Sequence, residues 1–297
     1  MYSALIAFFL TFCLLAILSK FHFSAPVKEE LVEHSVKRGT PICGSIAFVT
    51  AFVATVIYFR SNYIDYIFML SVFLFFIVGF LDDLMKVMRK NSDGFSSLTK
   101  LLLQLIVSIL IAVFIRKAGF YKEINVVLYY IFASLYLTVF VNAANISDGL
   151  DGLLSKTAIP PLILIGVLLG FSGNSGFIMA AILIAFLFYN SNPASIFMGD
   201  GGSHIVGAVL GVGGLISGHP LILILSSLML FVGFITSFLQ IVSIRYFHYH
   251  LFSIAPYHHA LQKRGWKESK ITDCYFVFSA LFSLIAYLIA SGSNVWV

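Results

Sequence analysis

Charge is what this chain has least of. Its 297 residues include 18 basic and 13 acidic side chains, so one residue in ten is charged. Soluble domains carry about a quarter. A chain this poor in charge cannot cover a water-facing surface with polar groups. That excludes an ordinary cytosolic enzyme, a disordered chain and a nucleic-acid-binding domain, and the net charge of +5 is not a nucleic-acid signal. Cysteine is also scarce. Cys13, Cys43 and Cys274 are odd in number and far apart, which excludes a disulfide framework or a metal cage built on thiols. What is abundant is apolar: 60% of the residues are hydrophobic and the mean hydropathy is +1.00. This is the composition of a polytopic membrane protein.

Open strands cannot cross lipid with unpaired backbone groups, so the apolar runs are expected to be helices. About ten spans are expected, near 2–21, 44–60, 65–82, 98–116, 125–143, 157–172, 176–190, 203–218, 221–244 and 271–290. The expected fold is all-α, one transmembrane domain covering residues 1–297. No cleavable signal peptide is expected, because residues 1–19 lack a basic start and are long enough to span. Ten spans put both termini on one side and the loops alternate. Fourteen of the 18 lysines and arginines then fall on one side, with Arg60, Arg116, Lys117 and Lys122 opposite. The positive-inside rule makes the fourteen-residue side cytoplasmic and both termini extracytoplasmic. Eleven of the 13 acids share that side, the exceptions being Asp65 and Glu123. Acids do not set orientation, so their gathering there points to a site.

The third span ends in GFLDDLMK, residues 79–86. Adjacent carboxylates at a membrane boundary are costly. A divalent cation relieves the cost, as does Lys86, which shares a helical side with Asp82 and Asp83. A solvated helix end is the plainer alternative. The next loop reads NAANISDGLDG, residues 142–152, with Asn142, Asn145, Asp148 and Asp151 at intervals of three. Continued helically, they would make one polar stripe whose oxygens suit a hard cation, a sugar hydroxyl or a nucleobase edge. Gly149 and Gly152 would let backbone approach a ligand or break the helix. In FMGDGGS, residues 197–203, glycines flank Asp200 where the eighth helix begins. Such a turn favours phosphate, which an aspartate opposes unless a cation bridges them, so Asp200 is expected to hold Mg²⁺. Helix capping by Asp200 or Ser203 is the alternative. The last loop joins His258 and His259 to the basic run Lys263, Arg264, Lys267 and Lys270, a pattern that suits phosphate or lipid headgroups. In the first loop, Lys37 and Arg38 precede a Gly-Thr-Pro turn that could hold a diphosphate.

Together KRGTP (37–41), GFLDDLMK, NAANISDGLDG, FMGDGGS and APYHH…GWKE (255–268) resemble the polyprenyl-phosphate N-acetylhexosamine-1-phosphate transferases. The resemblance is strongest to the branch that takes UDP-MurNAc-pentapeptide, and it extends over nearly the whole chain. Departures are Gly44-Ser45 in place of a Gly-Gly pair, Ala260 in place of a third histidine, and a short chain. The resemblance implies Mg²⁺-dependent transfer of phospho-MurNAc-pentapeptide to undecaprenyl phosphate, giving lipid I and UMP, by a multi-pass protein of the bacterial cytoplasmic (inner) membrane. It implies catalytic roles for Asp82, Asp83, Asp200, His258 and His259, with Asp200 and Asp83 at the metal. Substrate contacts would come from Lys37, Lys86, Asn142, Asn145, Asp148, Gly149, Leu150, Asp151, Asn190 and Phe197. Membrane lipid would be a partner, a homodimer is the family expectation, and nucleic acid is not a partner. The WecA/TagO branch, which uses UDP-GlcNAc, is the near alternative. A transporter is the distant one, disfavoured because transporters place polar groups near the bilayer midplane.

Overall fold

A computed structural model of the chain describes residues 2–20, 24, 39–89, 94–170 and 173–292. Among these residues all regular structure is helical. In chain order the helices are α1 (Tyr2–Leu18), α2 (Gly44–Tyr58), α3 (Tyr63–Arg89), α4 (Ser97–Lys117), α5 (Val126–Ser147), α6 (Leu153–Leu169), α7 (Ser175–Asn190), α8 (Gly199–Ile216), α9 (Pro220–Ser226), α10 (Leu228–Phe247), α11 (Tyr257–Lys263) and α12 (Glu268–Gly292). Five of them, α3, α4, α5, α10 and α12, are long and apolar enough to cross a membrane, and α1, α2, α6 and α7 are shorter apolar helices. Side chains such as Ile106, Val127, Phe238, Val277 and Leu284 stand exposed on their outer faces, the surface a bilayer would cover.

Among the described residues, each expected apolar run falls largely on helix. The ninth differs: the run 221–244 is split into α9 and α10 at Ser227. Ser226 donates to the carbonyl of Leu223, and Ser227 sits at φ −94°, ψ 13° between the two helices. Hydroxyls that bond back to the preceding turn bend helices. The last loop also contains a helix of its own, α11, which carries both histidines.

The centre of the bundle is α8, buried continuously from Gly201 to Ile216. It packs against α2, α3, α5, α6 and α9. Close approach depends on two glycines. A Cβ on Gly79 of α3 would collide with the Asp200–Gly201 peptide of α8, and a Cβ on Gly207 would meet the backbone of Val141 in α5. Backbones this close place groups at the ends of α3, α5 and α8 within hydrogen-bonding reach.

The opposite end of α3 carries Asp65, buried and spent on structure. Its Oδ1 accepts from the backbone N–H of Asn174 (3.0 Å) and of Ser175 (3.1 Å) and from the Ser175 hydroxyl (2.5 Å). It thereby satisfies amides at the start of α7 that have no partner within their own helix. Asp65 lies seventeen residues before Asp82 on one helix, which is roughly 25 Å at 1.5 Å per residue. Replacing Asp65 by alanine leaves those buried donors unsatisfied. It should cost about 1–3 kcal/mol of stability, read as a lower unfolding midpoint in detergent, with Asp65→Asn losing less. An unchanged midpoint for Asp65→Ala would contradict this role.

Candidate active site

Four helix ends meet around Asp200. From α3, Lys86 reaches Asp200 Oδ2 at 2.5 Å, Asp82 Oδ2 at 2.9 Å and Asp83 Oδ1 at 3.5 Å. From α4, Lys100 reaches Asp200 Oδ2 at 2.7 Å and Asp82 Oδ2 at 3.5 Å. From α5, Asn145 donates through Nδ2 to Asp200 Oδ1 (2.7 Å) and Ser203 Oγ (3.0 Å), and its Oδ1 accepts from Lys100 (3.3 Å). Asp83 Oδ2 accepts from the backbone N–H of Gly201 (3.1 Å), and Asp82 Oδ1 from that of Phe95 (2.5 Å). Three carboxyl groups and two ammoniums thus lie within reach of one another where the ends of α3, α4 and α8 meet. The same-face placement of Lys86 with Asp82 and Asp83, expected from spacing, is what the helix produces.

Among the described residues no three His, Cys, Asp or Glu side chains form a ready metal cage. Mg²⁺ does not need one, since it binds through one or two carboxylates together with water and substrate phosphate. The donor set fits that pattern: hard oxygens of Asp83 and Asp200, with Lys86 and Lys100 showing that cationic charge is accommodated between them.

A second group lies where the turn after α5 meets α11. His258 is fully buried, and among the described residues neither ring nitrogen has a hydrogen-bond partner. A Cβ on Gly149 would stand 2.7 Å from His258 Nε2 and 3.0 Å from His259 Nε2, so both rings face backbone that glycine leaves open. His259 Nδ1 pairs with Gln262 Oε1 at 2.7 Å. Leu150 packs beneath them with Leu153, Leu261, Ile271 and Tyr275.

The expected four-residue stripe is not formed. α5 ends at Ser147, with Asp148 as its C-cap, and Gly152 takes a left-handed φ of 75°. Asn142 and Asn145 therefore stay on one helical face, while Asp151 is turned away. Its Oδ2 accepts from Asn192 Nδ2 (3.2 Å) and Ala194 N (3.0 Å), and its own N–H donates to Glu268 Oε1 (2.6 Å). Asn190 joins this clasp, accepting from Gly152 N at 3.0 Å and donating to the Ile196 carbonyl at 3.0 Å. Neither Asp200 nor Ser203 caps α8. That helix begins earlier, at Gly199, with no side-chain cap, and Ser203 instead donates back to the Asp200 carbonyl. Phe197 is half-buried, its N–H bonded to the Pro41 carbonyl and its carbonyl to Gly44 N, so the first loop is tied beside it. Lys37 lies outside the described residues.

The structure also brings Lys100, Asn192 and Glu268 into contact with the candidate residues, which spacing did not single out. For Lys100 the signal was present: a lone cation in the first turn of an apolar span is a functional candidate by default.

The chain is similar to known proteins over most of its length. The profile of glycosyl transferase family 4 matches residues 66–218, a little over half of the chain. A phospho-N-acetylmuramoyl-pentapeptide-transferase of Thermotoga petrophila is 36% identical over 262 residues, 85% of each chain. One of Clostridium perfringens is 32% identical over 305 residues, covering 96% of this chain and 95% of the relative. One of Nautilia profundicola is 31% identical over 329 residues, covering 97% and 93%.

Burial, reinforced by His259 alongside, pushes the His258 imidazole down from 6.5 to about 3. The ring stays neutral in the folded protein, while in the unfolded chain it gains a proton below about pH 6.5. Stability is therefore lost as pH falls from about 6.5 toward 3, at up to about 1.4 kcal/mol per pH unit from this group. Unfolding of the wild type and of His258→Gln, compared between about pH 7.5 and about pH 5, should show the smaller loss in the variant. Parallel losses would show that His258 is accessible to protons.

Proposed function

Since this chain belongs to glycosyl transferase family 4, we propose that it transfers phospho-MurNAc-pentapeptide from UDP-MurNAc-pentapeptide to undecaprenyl phosphate, releasing UMP and leaving lipid I. The observation that carries this reading is the Asp82–Asp83–Lys86–Lys100–Asp200 cluster at one end of an apolar bundle. A lipid acceptor needs the apolar flank, and a nucleotide-linked donor needs the polar end. Ten spans account for the ten apolar runs, with α9 and α10 together as one. The excess of Lys and Arg supports placing the cluster in the cytoplasm, in a bacterial inner membrane with both termini outside. We also propose a homodimer as the chain's assembly.

Mg²⁺ held by Asp200 and Asp83 would neutralise charge on the donor diphosphate. The protein's own part is positioning and charge stabilisation, which dominate phosphoryl transfer. Lys86 and Lys100 supply cationic charge beside the reacting phosphates. The lipid phosphate is largely dianionic at neutral pH, its second pKa being near about 6. It can attack the sugar-linked phosphorus directly, with Asp82 orienting it. Direct displacement is favoured over an aspartyl-phosphate intermediate because a dianionic phosphate needs no further activation to attack. His258, neutral and with both nitrogens open, would contact the donor phosphate or the departing UMP. Gly149 and Leu150 with Phe197 and Lys37 would hold the uridine, Phe197 by stacking. Asp148, and the clasp of Asp151 and Asn190, would line the same pocket.

Purified protein with undecaprenyl phosphate, Mg²⁺ and UDP-MurNAc-pentapeptide should release UMP. Release from UDP-GlcNAc alone would move the chain to the WecA/TagO branch, and release from neither donor would end both enzyme readings. Chelation of the metal should stop turnover. Asp200→Asn should reduce it by at least about a hundredfold while the protein stays folded, a loss typical of removing one electrostatic partner of the transition state. Near-normal activity of Asp200→Asn would remove Asp200 from the metal site.

A further inference from the structure

Beneath the charged cluster lies a second polar layer whose members sit one helical turn below members of the first. On α4, Gln104 follows Lys100 by four residues. On α5, Asn142 precedes Asn145 by three. On α8, His204 follows Asp200 by four. The three are joined to one another: Asn142 Nδ2 to Gln104 Oε1 at 2.7 Å, and Gln104 Nε2 to His204 Nε2 at 2.9 Å. Gln104 and His204 are fully buried.

The direction of this chain follows from its fixed end. Asn142 Nδ2 also donates to the Thr138 carbonyl at 2.8 Å. A carbonyl only accepts, so the group facing it must be the amide nitrogen. The other proton of that nitrogen then goes to Gln104, which must present its oxygen. Gln104 therefore presents its amide nitrogen to His204, whose Nε2 must offer a lone pair. The imidazole is neutral and carries its proton on Nδ1. A ring protonated on Nε2 would set two donors against each other at 2.9 Å. The order of donors admits one arrangement, and each link joins a different pair of helices.

We propose that Gln104, Asn142 and His204 are positioning residues. Their one-way hydrogen-bond chain fixes the rotation of α4, α5 and α8 about their axes, and so aims Lys100, Asn145 and Asp200 at one point. The three links up to His204 Nε2 are all made, while Nδ1 beyond them has no hydrogen-bond partner among the described residues. An apolar layer of equal volume would let the helices rotate, and errors of about an ångström at reacting groups cost up to about a hundredfold in rate.

The inference rests on the proposed transferase activity for its kinetic readout and not for its spectroscopic one. His204→Leu removes the acceptor and should lower kcat about tenfold to a hundredfold with KM for the nucleotide donor little changed. His204→Gln places an oxygen near the Nε2 position and should keep kcat within about threefold of wild type. Equal losses in both variants would overturn the proposal. So would lowered thermal stability of His204→Leu with kcat intact, which is the mark of a merely structural role. Should His204→Leu not fold, nitrogen-15 NMR of the histidine-labelled wild type still decides: His204 should be neutral and protonated at Nδ1. Gln104→Glu, which turns the donor into an acceptor, should bring a proton onto Nε2. A wild-type ring protonated at Nε2 would refute the chain's direction. A wild type that releases no UMP but shows the Nδ1–H ring would end the transferase reading and leave the hydrogen-bond chain standing.

Discussion

The carboxylate of Asp200 is where four helices are held to one another. Its two oxygens receive Lys86 from α3, Lys100 from α4 and Asn145 from α5, at 2.5 to 2.7 Å. Asp82 and Asp83 approach the same ammoniums from α3. Charges this sheltered are expensive singly and tolerable together. The lysines offset three carboxylates that would otherwise repel, and the carboxylates fix lysines that would otherwise point to water. No helix end can leave the cluster without stranding a charge. Close backbone contact makes this possible: Gly79 lies against the Asp200–Gly201 peptide, which brings Asp83 within 3.1 Å of Gly201 N. The charged site and the tightest helix packing are one feature.

Much of this was legible in the sequence because its two signals are local. Long apolar runs separated by polar loops place the helices, and Asp82, Asp83 and Lys86 are neighbours on one turn. What was not legible depends on how a turn bends or on partners far along the chain. The stripe from Asn142 to Asp151 reads as one face only while the helix continues. It stops at Ser147, and Gly152 adopts φ 75°. Asp151 then finds Glu268, more than a hundred residues away, and no spacing rule joins the two. The break at Ser227 was hidden because two serines in an apolar run are as compatible with a straight helix as with a bent one. The seven residues of α11 are too few to show a period. Lys100 is a different kind of miss. As one of the fourteen cations on the basic side it reads as an orientation signal, although its place inside the first turn of an apolar helix makes it a site candidate.

The two halves of the site differ in the kind of polarity they hold. Around Asp200 every group is charged or bonded to a charge. Around His258 the polarity is neutral: a buried imidazole without a partner, facing glycine backbone, over a small apolar cluster. A charged imidazole there would lack solvation, whereas a neutral ring can both give and take a hydrogen bond. Under the proposed reaction, strong local fields suit the reacting phosphates, and the glycine-lined backbone at Gly149 and Leu150 suits the uridine, with neutral His258 able to donate to its phosphate. The clasp of Asp151, Asn192 and Glu268 links the turn that carries Gly149 to the loop that carries Phe197 and to the start of α12.

Polarity also falls away with depth, and that bears on what the bundle can do. Along α4, Lys100, Gln104 and Ser108 follow one another at intervals of four, about 6 Å per step. Each meets α5 at its own level: Lys100 with Asn145, Gln104 with Asn142, Ser108 with Thr138 at 3.0 Å. The layers run from charged, through neutral amide and imidazole, to hydroxyl. The side chains between them, among them Leu137, Phe140 and Ile111, are apolar and fully packed. Asp65, at the far end of α3, is consumed in holding α7. A transporter needs polar groups at the midplane that a substrate can reach and leave. Here the Ser108 and Thr138 hydroxyls, two turns below the charged layer on α4, bond to each other, and the charged side chains gather at one end of the helices. That gradient suits the proposed catalyst: a charged layer at one end of the bundle, a neutral polar layer one turn below it, and apolar packing beyond.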